Sequence, residues 1–223
     1  IMLDKKFGAS GNHVVVEEFL TGPEVSVLSF CDGKTVKPMV SSMDHKRALD
    51  HDEGLNTGGM GTVAPNPYYT PAVAERCMQE IFLPTVAAMQ AEGCPFKGCL
   101  YFGLMLTPDG PKVIEYNCRF GDPETQVVLP LLEGDLLHIM QACTNGTLEN
   151  EEVKFSDGAA ACVILASGGY PVAYEKGKPI TGLVDGQLPG EENVTVYHSG
   201  TAITEDGTLV TAGGRVLGVT APG

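Results

Sequence analysis

The sequence has few basic residues and no long apolar run. It contains 14 Lys and Arg against 28 Asp and Glu, which gives a formal net charge of −14 at pH 7. Apart from His45, Lys46 and Arg47 no basic cluster is present, so the charge pattern argues against a nucleic-acid-binding surface. No apolar stretch approaches the roughly 20 residues that a membrane-spanning helix needs. We therefore expect neither nucleic acid nor a membrane as a partner.

The sequence also lacks paired cysteines at metal-binding or redox spacing. It has 7 cysteines, an odd number, and no CxxC pair. This pattern favours reduced thiols in a cytoplasmic protein over a disulfide framework or a zinc site. A Ser/His/Asp or Cys/His arrangement is not recognisable either, so nothing in the sequence indicates a covalent protein nucleophile.

The segment EYNCRFGDPETQ, residues 115–126, is the densest group of chemically useful side chains. A β-prone KVI precedes it, so Glu115 and Asn117 are expected at the end of a strand and on one face. Their oxygens suit a hard divalent cation such as Mg²⁺ (or Mn²⁺), with phosphate oxygens and water completing the shell. Arg119 follows closely enough to donate to a phosphate.

The end of this segment also predicts the start of a helix. Asp122 would be the N-cap, Pro123 the first helical residue and Glu124 an acid in the first turn. A cap that follows a strand-loop connection also lies where open α/β sheets bind ligands. We therefore expect this turn both to begin a helix and to border a ligand site.

Hydrophobic patterning predicts a β-rich chain with a few helices. Two hairpins are expected, the second around a TPDG turn that places Glu115 and Asn117 beside Gly103 and Met105. Predicted strands cover 14–20, 25–31, a segment ending at Val40, 98–106 and 111–117. Predicted helices run from Thr70 to near Gly93, with a kink near Pro84, and from Asp135 to near Gly146.

Residues 41–66 are polar and glycine-rich, which predicts a long functional loop rather than a core element. Within it, NTGGMG offers successive glycines whose backbone N–H groups can approach an anion closely. The spacing of Gly58, Gly59 and Gly61 matches neither of the common phosphate-loop patterns.

RFGDPETQ resembles the signature of the glycinamide ribonucleotide synthetase (phosphoribosylamine-glycine ligase) family, within the ATP-grasp superfamily. Four further strings resemble family segments in the same order: VVVEEFLTGPEVSV, DHKR with NTGGMG, ASGGYP and GGRVLGVTA. The resemblance implies an α+β fold, with an ATP-grasp antiparallel sheet and flanking helices followed by a small β-rich C-terminal domain. It also implies ATP and Mg²⁺ (or Mn²⁺) as cofactors.

The resemblance also implies roles for individual residues. Arg119 and Asp122 would be catalytic, with Glu115 and Asn117 holding the metal. Residues that would bind ATP are Glu17, Glu18, Phe19, Leu20 and Glu24. Residues that would bind the substrates are Asp44, Lys46, Arg47, Asn56, Thr57, Gly58, Gly59, Asp122, Glu124 and Arg215.

Plainer alternatives stay open for some of these residues. Glu17 and Glu18 could be a solvated strand edge, and Arg215 could pair with a surface acid as readily as serve a substrate. ATP-grasp ligases often carry another metal-binding acid on the strand next to the metal pair. No acid occurs between Gly98 and Leu106 here, so the metal would rest on the pair, phosphates and water.

The implied activity is ATP-driven joining of glycine to 5-phosphoribosylamine through a glycyl phosphate, with glycinamide ribonucleotide, ADP and phosphate as products. The expected domains are a lid and hinge remnant (1–22), an ATP-grasp core (23–155) and a truncated C-terminal domain (156–223). We expect a fragment that is inactive alone, because the family's amino-terminal domain and nucleotide-clamping lysines have no counterpart here. A ligase for another carboxylate and amine, or a folded but non-catalytic piece, are the alternatives. The oligomeric state is left open.

Overall fold

The computed structural model describes residues 4, 5 and 8–223, without the side chain of Asp52. The strands are β1 (Glu24–Asp32), β2 (Val36–Pro38), β3 (Met43–Asp44), β4 (Arg47–Leu49), β5 (Glu53–Asn56), β6 (Gly61–Ala64), β7 (Lys97–Thr107), β8 (Gly110–Asn117), β9 (Leu132–Glu133), β10 (Lys154–Phe155), β11 (Ala160–Ala166), β12 (Thr195–His198), β13 (Thr201–Ile203), β14 (Leu209–Thr211) and β15 (Arg215–Pro222). The α-helices are α1 (Pro71–Cys77), α2 (Leu83–Ala91), α3 (Thr125–Val128) and α4 (Leu136–Asn145). In the described residues, no helix is long and apolar enough to cross a membrane.

A four-stranded antiparallel sheet, in the order β2-β1-β7-β8, forms the first layer. β1 is buried on both faces, which explains why its sequence is an almost continuous apolar run. Val25 and Val27 belong to the core shared with α1 and α2, whereas Leu28 and Phe30 belong to the core shared with α4. The sheet is therefore covered by helices on both sides.

A second sheet crosses the predicted boundary at residue 155. Its order is β12-β15-β11-β6-β3, so β6 from the glycine-rich segment pairs with β11 from the C-terminal part. The prediction that residues 41–66 hold no core element is wrong, because Thr62 and Ala64 on β6 are buried. Polar composition misled the prediction, since burial here is supplied by strands more than 90 residues away in sequence. The division at 155 stays a prediction.

The predicted strand at residues 14–20 is not formed. Val15 and Val16 are 84% and 91% exposed, and the segment pairs with no strand among the described residues. β-prone residues alone do not make a strand, because the backbone groups need a partner. The segment instead has no regular secondary structure and is largely exposed up to β1.

The hairpin of β7 and β8 is confirmed, but one of its predicted contacts is wrong. Glu115 lies opposite Gly103 as expected, whereas Asn117 lies opposite Tyr101 and not Met105. In an antiparallel pair, a residue further along β8 faces a lower-numbered residue on β7. Asn117 therefore lies beyond Gly103 on the side of Tyr101, and Met105 pairs with Lys112. A register shift between Gly103 and Leu104 adds to the displacement.

Helix predictions were accurate at the ends that carry caps. The Thr70 hydroxyl accepts from Val73 N–H and Asp135 accepts from His138 N–H, and Gly146 ends α4 with φ of 74°. The interruption expected at Pro84 is a π-helical turn at Met78–Phe82, just before that proline.

The predicted helix start at Asp122 is wrong. α3 begins at Thr125, and Glu124 occupies the N-cap position without capping through its side chain. The Asp122 carboxylate is instead held by Gln126, from Nε2 to Oδ1 at 2.8 Å, and by Arg215. These two side-chain partners occupy both of its oxygens.

Candidate active site

A polar cleft of about 300 Å³ opens at the end of β8. Its walls come from the first sheet, the turn before α3 and the loop between β5 and β6 that contains Gly58 and Gly59, here called the glycine-rich loop. The lining residues are Asp44, Lys46, Asn56, Thr57, Gly58, Tyr101, Glu115, Asn117, Arg119, Asp122 and Glu124. All ten residues predicted to bind metal or substrate or to act catalytically in segments 44–46, 56–58 and 115–124 therefore line one cleft, and Gly59 adjoins them against Asp44.

Glu115 and Asn117 project from one face of β8, as alternation along a strand requires. Asn117 Nδ2 donates to Glu115 Oε1 at 3.3 Å. Tyr116 points the other way, and its ring packs edge-on against Phe102. Glu115 sits above Gly103, where a Cβ would lie 2.8 Å from Glu115 Cγ. The glycine on β7 thus gives the Glu115 side chain its space.

These donors fit a Mg²⁺ ion that takes most of its ligands from phosphates and water. A carboxylate and an amide on adjacent same-face positions supply hard oxygen ligands of the preferred kind. Within the described ranges, no three His, Cys, Asp or Glu side chains cluster as a metal site. The pair therefore suits a metal that arrives with a nucleotide better than a resident metal held by protein alone.

Two further acids, one buried and one half-buried, line the same cleft. Glu124 is 4% exposed, and it accepts from the hydroxyls of Tyr101 at 3.0 Å and Ser26 at 3.4 Å. Burial, with the charge of Glu124 second, raises the pKa of Asp44 to about 7. Asp44 Oδ1 is fully buried and has no hydrogen-bond partner in the described structure. Asp44 is thus an acid that changes charge near neutral pH.

Arg215 joins three separate segments at the edge of the cleft. Its NH2 lies 3.1 Å from Asp122 Oδ2, and its NH1 donates to the carbonyls of Asp122 at 2.8 Å and Gly58 at 2.7 Å. Only 21% of the Arg215 side chain is exposed. Arg215 could either pair with a surface acid or serve a substrate. The structure shows an ion pair, but its acid is Asp122, which lines the cleft.

The glycine-rich loop is held tightly by the rest of the protein. Thr57 N–H and its hydroxyl both donate to Lys46 O, at 2.7 and 2.8 Å. Gly59 has φ of 107°, and a Cβ there would lie 2.5 Å from Pro123 Cδ and 2.6 Å from Asp44 Oδ1. A glycine is therefore required for both the backbone conformation and the close approach.

The loop's N–H groups are already used within the protein. Gly58 N–H donates to Tyr170 OH at 3.1 Å, and Gly59 N–H donates to Thr57 Oγ1 at 3.0 Å. The arrangement differs from an open nest of free N–H groups, because both donors have protein acceptors. Side chains around the loop are then the available contacts for an anion.

The predicted hinge residues line a neighbouring pocket of about 270 Å³. Its lining residues are Glu17, Glu18, Phe19, Leu20, Glu24, Met105, Lys112, Val113 and Ile114. Lys112 Nζ donates to both oxygens of Glu18, at 2.9 and 2.8 Å. Phe19 is 90% exposed. All five residues predicted to bind the nucleotide therefore share one surface.

A third pocket of about 340 Å³, the connecting pocket, shares lining residues with both the hinge pocket and the polar cleft. Glu24 lines both this pocket and the hinge pocket, whereas Asp44, Lys46 and Asn56 line this pocket and the cleft. Lys46 Nζ donates to Glu24 Oε2 at 2.9 Å. Although burial alone would lower it, this bond raises the pKa of Lys46.

Two predicted arginines point to the backbone instead of into open space. Arg119 NH1 donates to Phe120 O at 2.9 Å while lining the cleft. Arg47 NH1 donates to Gly54 O at 2.8 Å and lines the connecting pocket only. The structure thus brings Arg119, but not Arg47, into one cleft with Glu115 and Asn117.

Sequence reasoning missed three residues that shape the site. Tyr101 and Ser26 anchor Glu124, and Tyr170 holds Gly58. Tyr101 could have been found from the correct hairpin register, which places it opposite Asn117. Tyr170 lies in ASGGYP, a string that was noted without a role.

The fold corresponds to that of the ATP-grasp class. The biotin carboxylase domain of Hydrogenobacter thermophilus 2-oxoglutarate carboxylase, solved with MgADP and bicarbonate, aligns over 92% of this chain and 42% of its own, with a TM-score of 0.60. At 15% identity this likeness shows the fold alone. The predicted ATP-grasp α+β fold is confirmed.

Family models identify the particular group within that class. The ATP-grasp (A) domain of phosphoribosylglycinamide synthetase matches residues 1–125, and the C domain of the same protein matches residues 160–223. The chain belongs to the phosphoribosylglycinamide synthetase family.

Named relatives agree with this assignment. The chain is 48% identical to the phosphoribosylamine–glycine ligase of Caldanaerobacter subterraneus subsp. tengcongensis, over 100% of this chain and 52% of the relative. It is 52% identical to the trifunctional purine biosynthetic protein adenosine-3 of Gallus gallus, over 99% of this chain and 22% of the relative. The crystal structure of the Thermotoga maritima phosphoribosylamine–glycine ligase aligns with a TM-score of 0.80 and 38% identity, over 93% of this chain and 50% of that one. The chain thus spans about half the length, or less, of these relatives.

Proposed function

We propose that the full-length protein joins glycine to 5-phosphoribosylamine at the expense of ATP, and that this chain supplies much of its catalytic centre. The observation that carries the proposal is that the hinge pocket, the connecting pocket and the polar cleft share lining residues at each junction, which marks out a path for a nucleotide. A nucleotide lying along this path would have its base near Phe19 and Leu20 and its phosphates near Glu115 and Asn117.

The chemistry starts from a poor acceptor. A carboxylate reacts with an amine only after activation, so the γ-phosphoryl group of ATP would pass first to the glycine carboxylate, giving glycyl phosphate. The amine of 5-phosphoribosylamine would then form the C–N bond as phosphate leaves, and a proton from that amine would be released. No residue of the chain has to form a covalent bond, which agrees with the absence of an activated nucleophile in the sequence.

The chain's own residues would position the reactants and balance their charge. Glu115 and Asn117 would hold Mg²⁺ (or Mn²⁺), which when bound neutralises phosphate charge. Arg119 would steady the transferring group. Lys46, Asn56 and Thr57 would contact the substrates at the cleft wall, and Glu24 would contact the nucleotide sugar. Orientation of this kind lowers the barrier by removing freedom of motion before reaction.

The proposal is tested by Glu115→Gln in the full-length protein. Because the substitution removes the charge that would hold the metal, we expect ADP release that depends on glycine and 5-phosphoribosylamine to fall at least about 100-fold. Glu152→Gln is the matched control, since Glu152 is an exposed acid whose ion pair in the described structure is with Lys154 at the surface. Near-normal ligation by Glu115→Gln would overturn the metal assignment.

Substrate choice needs a separate measurement. The wild-type full-length protein should release ADP with glycine and not with other amino acids, and only when 5-phosphoribosylamine is present. ADP release with a different carboxylate and amine would replace the proposed substrates while leaving the ATP site intact. The same assay on the 223-residue chain tests the prediction that it is inactive alone.

A further inference from the structure

One C-terminal tyrosine reaches the wall of the polar cleft. Tyr170, in the ASGGYP string that follows β11, accepts a hydrogen bond from Gly58 N–H at 3.1 Å, across 112 positions in the sequence. Gly58 itself lines the cleft together with Glu115 and Asn117. No role for Tyr170 follows from the family resemblance or from the path proposed for the nucleotide.

Gly58 is held on its other side as well. Its carbonyl accepts from Arg215 NH1 at 2.7 Å. A Cβ at Gly58 would lie 3.0 Å from Arg215 Cζ, so the loop and the guanidinium are in close contact. Both backbone polar atoms of Gly58 are therefore fixed by residues from the C-terminal part of the chain.

Tyr170 is itself held in a prepared position. Its N–H donates to Ser167 O at 3.0 Å, and Ser167 N–H donates to Gly214 O at 2.7 Å. A Cβ at Gly214 would lie 2.3 Å from Tyr170 Cδ2, so the ring lies directly against that backbone. The Tyr174 ring packs edge-on at a centroid distance of 6.1 Å. The Tyr170 ring is thus held by packing, and this fixes the position of the hydroxyl that accepts from Gly58 N–H.

We propose that Tyr170 is a positioning residue, which fixes the Gly58 peptide and so orients Asn56 and Thr57 toward the phosphorylated amine substrate. The inference rests on the proposed function for the identity of that substrate. The opposite role would be a placeholder, in which an incoming phosphate displaces the hydroxyl and takes the Gly58 N–H for itself. The two roles predict opposite changes in KM when the hydroxyl is removed.

The test compares Tyr170→Phe with Tyr174→Phe in the full-length protein. Both substitutions remove one hydroxyl and keep the ring, but the Tyr174 hydroxyl makes no hydrogen bond in the described part of the chain. The first measurement is hydrogen exchange of the peptide covering residues 55–62. Tyr170→Phe should speed its exchange about tenfold, with β7 unchanged, whereas Tyr174→Phe should match wild type. Unchanged exchange in Tyr170→Phe would show that the Tyr170 hydroxyl does not fix the Gly58 peptide, whatever the enzyme's activity, and would overturn the proposal.

The second measurement is steady-state kinetics. Tyr170→Phe should raise KM for 5-phosphoribosylamine about fivefold, as expected for the loss of one orienting hydrogen bond, with kcat and KM for ATP within about twofold of wild type. An unchanged or lower KM for 5-phosphoribosylamine would overturn the positioning role. If wild type shows no ligation at all, the proposed function fails and hydrogen exchange still decides whether Tyr170 fixes the loop.

Discussion

Arg215 NH2 lies 3.1 Å from Asp122 Oδ2, and the same guanidinium donates to the carbonyls of Asp122 and Gly58. The ion pair therefore connects β15, the turn before α3 and the glycine-rich loop. These three segments are far apart in the sequence, and the forked donors of arginine allow one side chain to reach all of them.

Replacing Arg215 with lysine should loosen this junction even though the charge is kept. Lysine presents a compact point charge and cannot reproduce the fork, so we expect a loss of about 2 kcal/mol in the free energy of unfolding. Urea denaturation measures the loss, with Lys176→Gln as a control at an exposed cation. Equal stability of Arg215→Lys and wild type would show that the charge alone is sufficient.

Asp44 should make the protein less stable as the pH rises. Burial and Glu124 raise its pKa from 3.8 to about 7, against the opposing effect of Lys46 and Arg215, and Glu24 adds to the rise. The folded state thus keeps the proton longer than the unfolded state, and the stability provided by the protonated acid is lost between about pH 4 and pH 7.

Asp44→Asn removes this titration. We expect the variant to be more stable than wild type at pH 8, on the order of 2 kcal/mol, with little difference at pH 4. Thermal unfolding across this pH range measures the effect, and Asp109→Asn at an exposed turn serves as the control. A stability difference that does not change with pH would contradict the raised pKa.

Asp32 should show the opposite pH dependence. Although burial works against it, hydrogen bonds from Thr35, Lys34 and Leu148 N–H groups lower the pKa of Asp32. The stability it provides is therefore present above about pH 4 and is lost as the pH falls through the lowered pKa.

Asp32→Ala leaves those donors without their carboxylate. Because Leu148 N–H bonds to Asp32 Oδ2 in a buried setting, we expect a loss of about 3 kcal/mol at pH 7. The difference from wild type should shrink toward pH 2 in chemical denaturation. A loss that is the same at pH 2 and pH 7 would assign it to packing instead of charge.

Gly103→Ala should displace the Glu115 side chain while leaving Glu115 itself unsubstituted. The added methyl group would meet Glu115 Cγ at 2.8 Å, so the Glu115 side chain must shift from its position beside Asn117. We expect activity of the full-length protein to fall at least about tenfold, with an increased Mg²⁺ requirement. Gly168→Ala is the control, because nothing lies within 4 Å of a Cβ there. Unchanged metal dependence in Gly103→Ala would separate Glu115 from the metal.

Local signals in the sequence were sufficient to predict those features of the structure that depend on residues close to each other in the chain. Caps at Thr70 and Asp135, the left-handed Gly146 and the turn between β7 and β8 all follow from residue types at fixed spacing. The same-face placement of Glu115 and Asn117 follows from strand alternation. The polar cleft was likewise foreseen as a set of residues, through motifs that resemble those of a known family.

Tertiary contacts decided what local signals could not. Residues 14–20 are as β-prone as β1, yet they form no strand because the described chain offers their backbone no partner. β6 lies in a segment that is polar and glycine-rich overall, yet it is buried because β11 pairs with it from the C-terminal part. Asp122 was expected to cap a helix, but Arg215 and Gln126 take its carboxylate.

The sequence by itself therefore determined the family, the helix ends that carry caps and the set of residues that line the cleft. Only the tertiary structure decided that Tyr170, Arg215 and Asp44 act on one loop, that the loop's N–H groups are already bonded, and that Asp44 titrates near neutral pH. The physical reason is distance: the decisive charge and hydrogen-bond partners at this site come from segments separated by about 80 to 160 residues, and no local pattern encodes their meeting.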